Sequence, residues 1–218
     1  MSSLLVLLPD GPANSAAEFA YALTPDGRLT TSHGSAPAAL LPPVRGAGAE
    51  VIAVVPARAV SWHRVELPPG VGPASPRLRG VLEGLLEEQL LDDAEQLHFA
   101  LPPRLPGGPL WVAVCDRTWL REALQLLESA ERPVSRIVPE FVPEGPMLLH
   151  AVGEPTQAHW VAAGEAGVLV LPLSSAALAL LAPEIAQGSC LAEPAAAHRP
   201  CSGSQSRRRS PRLGLCSG

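Results

Sequence analysis

The sequence predicts a mixed α/β fold, and three observations predict it. Short apolar runs of strand length open and close the regular part of the chain. Two stretches between them, 77–91 and 117–130, repeat their apolar residues at helical spacing. Strands and helices do not alternate in the regular way that a wholly parallel sheet requires.

Leu4 to Leu8 is an apolar run closed by Pro-Asp-Gly, a buried strand followed by a turn. In AEFAYALTPDGRLTTSH, Phe19, Tyr21 and Leu23 alternate with small residues, TPDG is a turn, and Leu29 lies in a second strand. This is a β-hairpin, so the chain opens with three consecutive strands. Ser35 to Gly48, rich in Ala, Pro and Gly, reads as a loop with room for a helical turn. VIAVVP (51–56) is a buried strand. VSWHRVEL (60–67) sets Val60, Trp62, Arg64 and Glu66 on one face and Ser61, His63, Val65 and Leu67 on the other; the pattern leaves open which face is buried. A loop, PPGVGPASP, leads to the first helix, from Arg77 to about Leu91, with Leu78, Val81, Leu82, Leu85 and Leu86 on one stripe. LHFAL and LWVAV are short strands. Asp116 is placed to N-cap a second helix, about Arg117 to Ala130, with Trp119, Leu120, Ala123, Leu124 and Leu127 sharing a face. VSRIVPEF, MLLHAV, HWVAAG and GVLVLPL read as strands, and SSAALALLAPEI as a helix.

At 218 residues the chain is long enough for one or two domains with a real core. All 16 basic residues are arginines, which with 25 prolines points to GC-rich coding DNA rather than to a function. The net charge of −5 hides an asymmetry. Residues 199–218 hold Arg199, Arg207, Arg208, Arg209 and Arg212 and no acid, which leaves 11 arginines against 21 acids elsewhere. An acidic body of about −10 argues against nucleic-acid binding. The basic tail, 198–218, has no periodicity, and two readings stay open: a disordered basic segment, or out-of-frame translation from near Ala197, which resequencing would settle. Cys190, Cys201 and Cys216 crowd the last part of the chain and Cys115 stands alone, which is no disulfide framework. MSSLLVLLPDG is too short and wrongly flanked for a signal peptide. VLVLPLSSAALALLAP is broken by Pro172 and two serines, so it is not a membrane span and a soluble chain is expected.

The first helix carries Glu83, Glu87, Glu88, Asp92 and Asp93 in or just after it. At about 100° per residue from Leu78, the apolar stripe centres near ~10°, with Glu83 near ~140°, Glu87 near ~180° and Glu88 near ~280°. These acids face water or flank the core, so they are poor general acids and better suited to meeting a basic partner. Arg79 and Glu83 form an i, i+4 pair. The candidate partner-facing residues are Glu83, Glu87, Glu88 and, on the second helix, Arg121. No histidine or cysteine pair has metal-ligand spacing, no Gly-x-Ser-x-Gly elbow occurs, and His63 reads as a packed or edge-strand residue. Cys115, in an apolar run beside Asp116, reads as structural, because a neighbouring carboxylate disfavours the thiolate. No Gly-x-Gly-x-x-Gly or Walker A run is present, so no catalytic residue, metal or cofactor is assigned. PDGPANSA after the first strand is the one phosphate-loop candidate, and Pro9 and Pro12 remove donors it would need.

VIAVVPARAVSWHRVELP, RLRGVLEGLLEEQLLDDAEQLHFAL and LWVAVCDRTWLREALQLLESAERPVSRIVPE closely resemble the cytoplasmic domain of the type II secretion system protein L (GspL) family, over roughly 2–197 and most strongly over 51–140. The resemblance implies an actin-like, ribonuclease-H-like, two-lobed fold with a degenerate nucleotide site, related to FtsA and PilM. It implies a first lobe over 1–140 with a subdomain inserted at about 51–135, and the incomplete start of a second lobe over 141–197. It implies a non-enzymatic scaffold that recruits a GspE-like secretion ATPase to the cytoplasmic face of the inner membrane and pairs with a GspM-like platform protein, with a homodimer as a further arrangement. The family continues into a transmembrane helix and a periplasmic domain that this sequence does not show.

Two other readings are weighed against it. An actin-like ATPase or phosphotransferase needs two phosphate turns. Asp10 and Gly11 in one place and Gly164, Glu165 and Gly167 in the other are too little for both. An orphan fragment without a partner is the third. The isolated chain is expected to show no ATP hydrolysis.

Overall fold

Leu4 and Val6 are inaccessible to solvent, and the strand that carries them, Ser3–Leu7 (β1), is the centre of the main sheet in the computed structural model. The structure describes residues 2–177 except 15, 45, 47, 104, 106, 155–157, 175 and 176. The predicted helix SSAALALLAPEI, apart from 174 and 177, and the tail from 198 lie outside the described residues.

Two strands, Glu18–Thr24 (β2) and Ser32–Pro37 (β3), continue antiparallel from β1 as a meander. On its other side β1 pairs parallel with Glu50–Val55 (β4), and β4 pairs parallel with Arg136–Pro139 (β8), giving the order β3-β2-β1-β4-β8. This half-meander, half-parallel sheet, with its helices, is the mixed α/β arrangement the sequence predicts. The helix Arg117–Ser129 (α2) covers one face, burying Leu120, Ala123 and Leu127 against Leu4, Val6, Phe19, Val51, Ala53 and Val55. Asp116 caps it as its sequence requires, accepting the Trp119 backbone N–H at 2.6 Å.

The residues between β4 and α2 form a second layer of structure. Ser61–Val65 (β5), Leu97–Ala100 (β6) and Leu110–Asp116 (β7) make a three-stranded antiparallel sheet, ordered β5-β7-β6. The helix Leu78–Leu86 (α1) buries Leu82 and Leu86 against its Val65, Leu97, Leu110, Val112 and Val114. This settles the face of β5: Val65 points into that core. A third sheet, Leu148–Val152 (β9), His159–Gly164 (β10) and Gly167–Pro172 (β11), follows as a meander.

Three sequence expectations are corrected. Leu29 is not in a strand; it is 68% exposed, and β3 begins at Ser32. The cause is Asp26, whose carboxylate takes the Arg28 and Leu29 backbone N–H groups at 2.8 and 2.9 Å, so they cannot join a ladder. The loop expected from Ser35 starts later, because β3 runs on to Pro37. Gly34 allows this, since a Cβ there would meet the Tyr21 ring at 3.2–3.4 Å. The first helix ends at Leu86 rather than Leu91. Glu87 and Glu88 put two carboxylates at its negative end, where they oppose the helix dipole, and Leu91 is left fully exposed.

Candidate functional site

Open α/β sheets bind ligands beyond the carboxyl ends of their parallel strands. Here β1, β4 and β8 are parallel, so their carboxyl ends bring together the turn from Pro9 to Asn14, the short 3-10 turn Ala57–Ala59 and Glu140. The N-terminal turn of α2 reaches the same place through Trp119.

The chain itself meets the polar groups here. The Trp119 indole Nε1–H donates to the carbonyls of Pro9 at 3.1 Å and Gly11 at 3.2 Å. The Ala57 N–H, which opens the 3-10 turn and has no local cap, donates to the Glu140 carboxylate at 3.0 Å. Glu140 is itself fixed by its own N–H, which donates to the Val55 carbonyl at 2.8 Å. Arg58 lies 3.7 Å from Asp10, with both side chains about half exposed, a pair too wet to contribute much.

A nucleotide's phosphates need converging N–H donors and a cation. This crevice has one exposed arginine, Arg58, but its first turn holds two prolines, its carbonyls turn toward an indole, and two carboxylates stand where converging N–H donors would be needed. The residues do not fit the phosphates. The second candidate turn, Gly164–Gly167, does not complete the first. The Glu165 N–H donates to the Gly145 carbonyl at 2.9 Å, Gly164 is packed on the Met147 backbone, and Gly167 lies 3.5 Å (as a built Cβ) from the Trp111 ring. Trp111 and Asp116, the N-cap that leads to Trp119, are at opposite ends of β7, roughly 16 Å apart at ~3.3 Å per residue. The two turns therefore sit against different ends of one strand.

The acids of α1 form the other polar feature. Glu83 and Glu87 line a depression of about 420 Å³ with Leu90, Asp92 and Asp93. Glu83 is only partly exposed and is bonded to Arg79 at 2.8 Å. Arg79 does more than the expected i, i+4 pair: it also donates to the Ala94 carbonyl at 2.8 Å and lies over the Phe99 ring, which ties α1 to the start of β6. Glu87 is exposed at the helix end, and Glu88 is exposed but does not line the depression. Arg121 is exposed on α2, a helix that packs on the other sheet, so it is not grouped with the acids.

His98 and Cys115 face each other across β6 and β7 and line an apolar cleft of about 190 Å³ with Val60, Leu120 and Ile137. Burial, then the Asp116 carboxylate, pushes the Cys115 thiol up to about 11, which agrees with a structural rather than nucleophilic cysteine. Burial, and after it the charges of Arg117 and Arg79, hold the His98 imidazole below its ordinary value. His63, on the edge strand β5, approaches Ser61 Oγ at 3.0 Å and Gln89 Oε1 at 3.4 Å. Among the described residues no group of three or more His, Cys, Asp or Glu is placed to hold a metal ion, and no helix is long and apolar enough to cross a membrane.

Trp119 and Glu140 were not singled out as site residues by their sequence. Trp119 reads as one more residue of an apolar stripe, and Glu140 is 83 positions from the N–H it meets.

The family model for type II secretion system (T2SS) protein L matches residues 26–143. Type II secretion system protein L of Pseudomonas aeruginosa is 49% identical over 53 residues, covering 24% of this chain and 14% of that protein. Its Vibrio cholerae counterpart is 33% identical over 92 residues, covering 42% of this chain and 22% of that protein. The matches thus span less than a quarter of these relatives' length. In fold, the chain is similar to the cytoplasmic domain of EpsL, an inner membrane component of the type II secretion system of Vibrio cholerae. The TM-score is 0.61 and the identity 21%, with 93% of this chain and 90% of that one covered. The family match takes in more than half of the 218 residues, and the chain belongs to the type II secretion system protein L family.

Proposed function

We propose that the chain is a non-enzymatic assembly component of the secretion machinery, and that it holds a GspE-like secretion ATPase at the cytoplasmic face of the inner membrane. The observation that carries this reading is the carboxyl end of the main sheet, where the chain's own groups take the donors and acceptors that a nucleotide would use. A protein with this fold and such a crevice works through its surface. The docking surface in this reading is the acidic face of the inserted layer, built on Glu83, Glu87 and Glu88, with Arg121 as a separate contact on α2.

The same reading has a first lobe at 1–140 with a subdomain inserted at about 51–135, a stretch that includes β5, α1, β6 and β7, and the start of a second lobe at 141–197. A GspM-like platform protein and a second copy are its other partners. The chain is expected to hydrolyse no ATP above buffer.

Co-elution of the full chain with the cognate secretion ATPase, at low and at high salt, tests the proposal. A complex that weakens as salt rises is the expected result, since an exposed acidic face is screened within about 10 Å at ~0.1 M salt. Folded chain that elutes alone at both salts would sink it.

A further inference from the structure

We propose that Trp119 and Glu140 lock the carboxyl end of the main sheet from within, giving it the fixed shape that a bound phosphate gives comparable crevices. This inference rests on the same crevice contacts as the reading above but needs no ATPase partner.

The lock has two parts, and each crosses the fold. Trp119 stands in the first turn of α2 and is held there by the Asp116 cap, whose carboxylate accepts its backbone N–H. Its indole then bridges two carbonyls of the β1–β2 connection, 110 and 108 residues away. A single donor shared between Pro9 and Gly11 fixes the curvature of that turn, and Pro9 and Pro12 stiffen it further by fixing their φ angles. Just beyond, Asn14 closes a second turn, accepting the Ala16 N–H on its side chain at 3.0 Å and the Ala17 N–H on its carbonyl at 2.9 Å. The entry into β2 is thus built on the segment that Trp119 holds.

Glu140 is the second part. It leaves the end of β8 and returns its carboxylate to the Ala57 N–H at the end of β4. A carboxylate accepting a backbone N–H at the opening of a helical turn is the interaction an anionic ligand would make there. The chain supplies it from the neighbouring strand. Trp119 thus ties the exit of β1 to α2, and Glu140 ties the exits of β4 and β8 to each other. No ligand is needed to set their spacing, so the crevice does not change shape with nucleotide.

Heteronuclear NMR of the full chain tests this through the indole N–H itself. Trp119→Phe identifies the resonance among the four tryptophans. The expected result is an indole proton that exchanges with heavy water at least about tenfold more slowly than an exposed indole, and that does not move when millimolar Mg-ATP is added. In Trp119→Phe the Ala16 and Ala17 amides should exchange about fivefold faster, the factor that one ordinary hydrogen bond represents, while the amides of α2 stay protected. Glu140→Ala should do the same to the Ala57 amide. Exchange of the Trp119 indole at the exposed rate would overturn the proposal, because the bonds would not persist in solution. So would a shift of that resonance on adding Mg-ATP, which would put a nucleotide at the turn. If Trp119→Phe does not fold, the wild-type indole and the Glu140→Ala amide still decide.

Discussion

The carboxyl end of the main sheet and the outer face of α1 are both rich in polar groups, and they differ in where those groups find partners. At the sheet end, Trp119, Glu140, Pro9, Gly11 and Ala57 satisfy one another over separations of 83 to 110 residues. On α1, Glu87 and Glu88 face water, Asp92 and Asp93 flank an open depression, and Leu85 and Leu91 are exposed beside them. Glu83 is held by Arg79, and Asp93 accepts the Glu95 N–H at the opening of the next turn. The difference teaches where to look for function. A crevice whose donors and acceptors are used internally has little left to offer a ligand. A charged face with Glu87, Glu88 and exposed leucines still has interactions to make.

Removing a buried leucine from either region should have the largest effect. Leu127→Ala under the main sheet and Leu86→Ala under the second should each cost about 2–5 kcal/mol in urea denaturation, since both side chains are inaccessible. Leu85→Ala, one position away but 40% exposed, should stay within about 0.5 kcal/mol. A large loss at Leu85 would mean that α1 packs on a wider stripe than described.

Asp116→Ala comes next. Losing the cap of α2 should cost about 1 kcal/mol, and because the cap fixes Trp119, the turn at Pro9–Gly11 should loosen with it. Unchanged amide exchange at Ala16 and Ala17 in this variant would separate the cap from the lock.

Cys115 gives a pH effect with a definite sign. Its folded value, about 11, is above the ordinary 9.0, so the neutral thiol is favoured in the folded chain. That contribution is fully present below pH 9 and is lost as pH rises from 9 toward 11, because the unfolded thiol ionises first. At neutral pH the thiolate fraction of Cys115 should be about a hundredfold below that of the unfolded chain. Peptide mapping after brief alkylation checks this, and rapid labelling at Cys115 would contradict it. Smallest of all, Glu87→Arg should leave stability within about 0.5 kcal/mol of wild type, because the side chain has no partner to lose among the described contacts.

What could be seen in the sequence follows the range of the interactions involved. The second helix was legible to its cap because Asp116 and Trp119 are three residues apart. Most strands were legible as apolar runs of the right length, but β3, SHGSAP, is no such run. Their assembly was not: β4 meets β8 across some eighty residues, with the β5–β7 layer inserted between, and this hides the parallel pairing that alternation would have announced. Leu29 was misplaced because apolarity suggested a strand, while Asp26 had already taken the N–H groups a strand would need. Prolines at 9 and 12 foretold a poor phosphate loop. That the loop would be tied to Trp119, and Ala57 to Glu140, depends on contacts that no local pattern encodes.

The most direct test of the account measures the affinity of the cognate secretion ATPase for three full-length chains in parallel: wild type, Glu87→Arg and Trp119→Phe. The account predicts that Glu87→Arg loses about tenfold or more, as reversal of a charge on a docking face should, while Trp119→Phe binds like wild type. Binding that survives Glu87→Arg but fails in a folded Trp119→Phe would contradict it, placing the docking surface at the crevice rather than on α1.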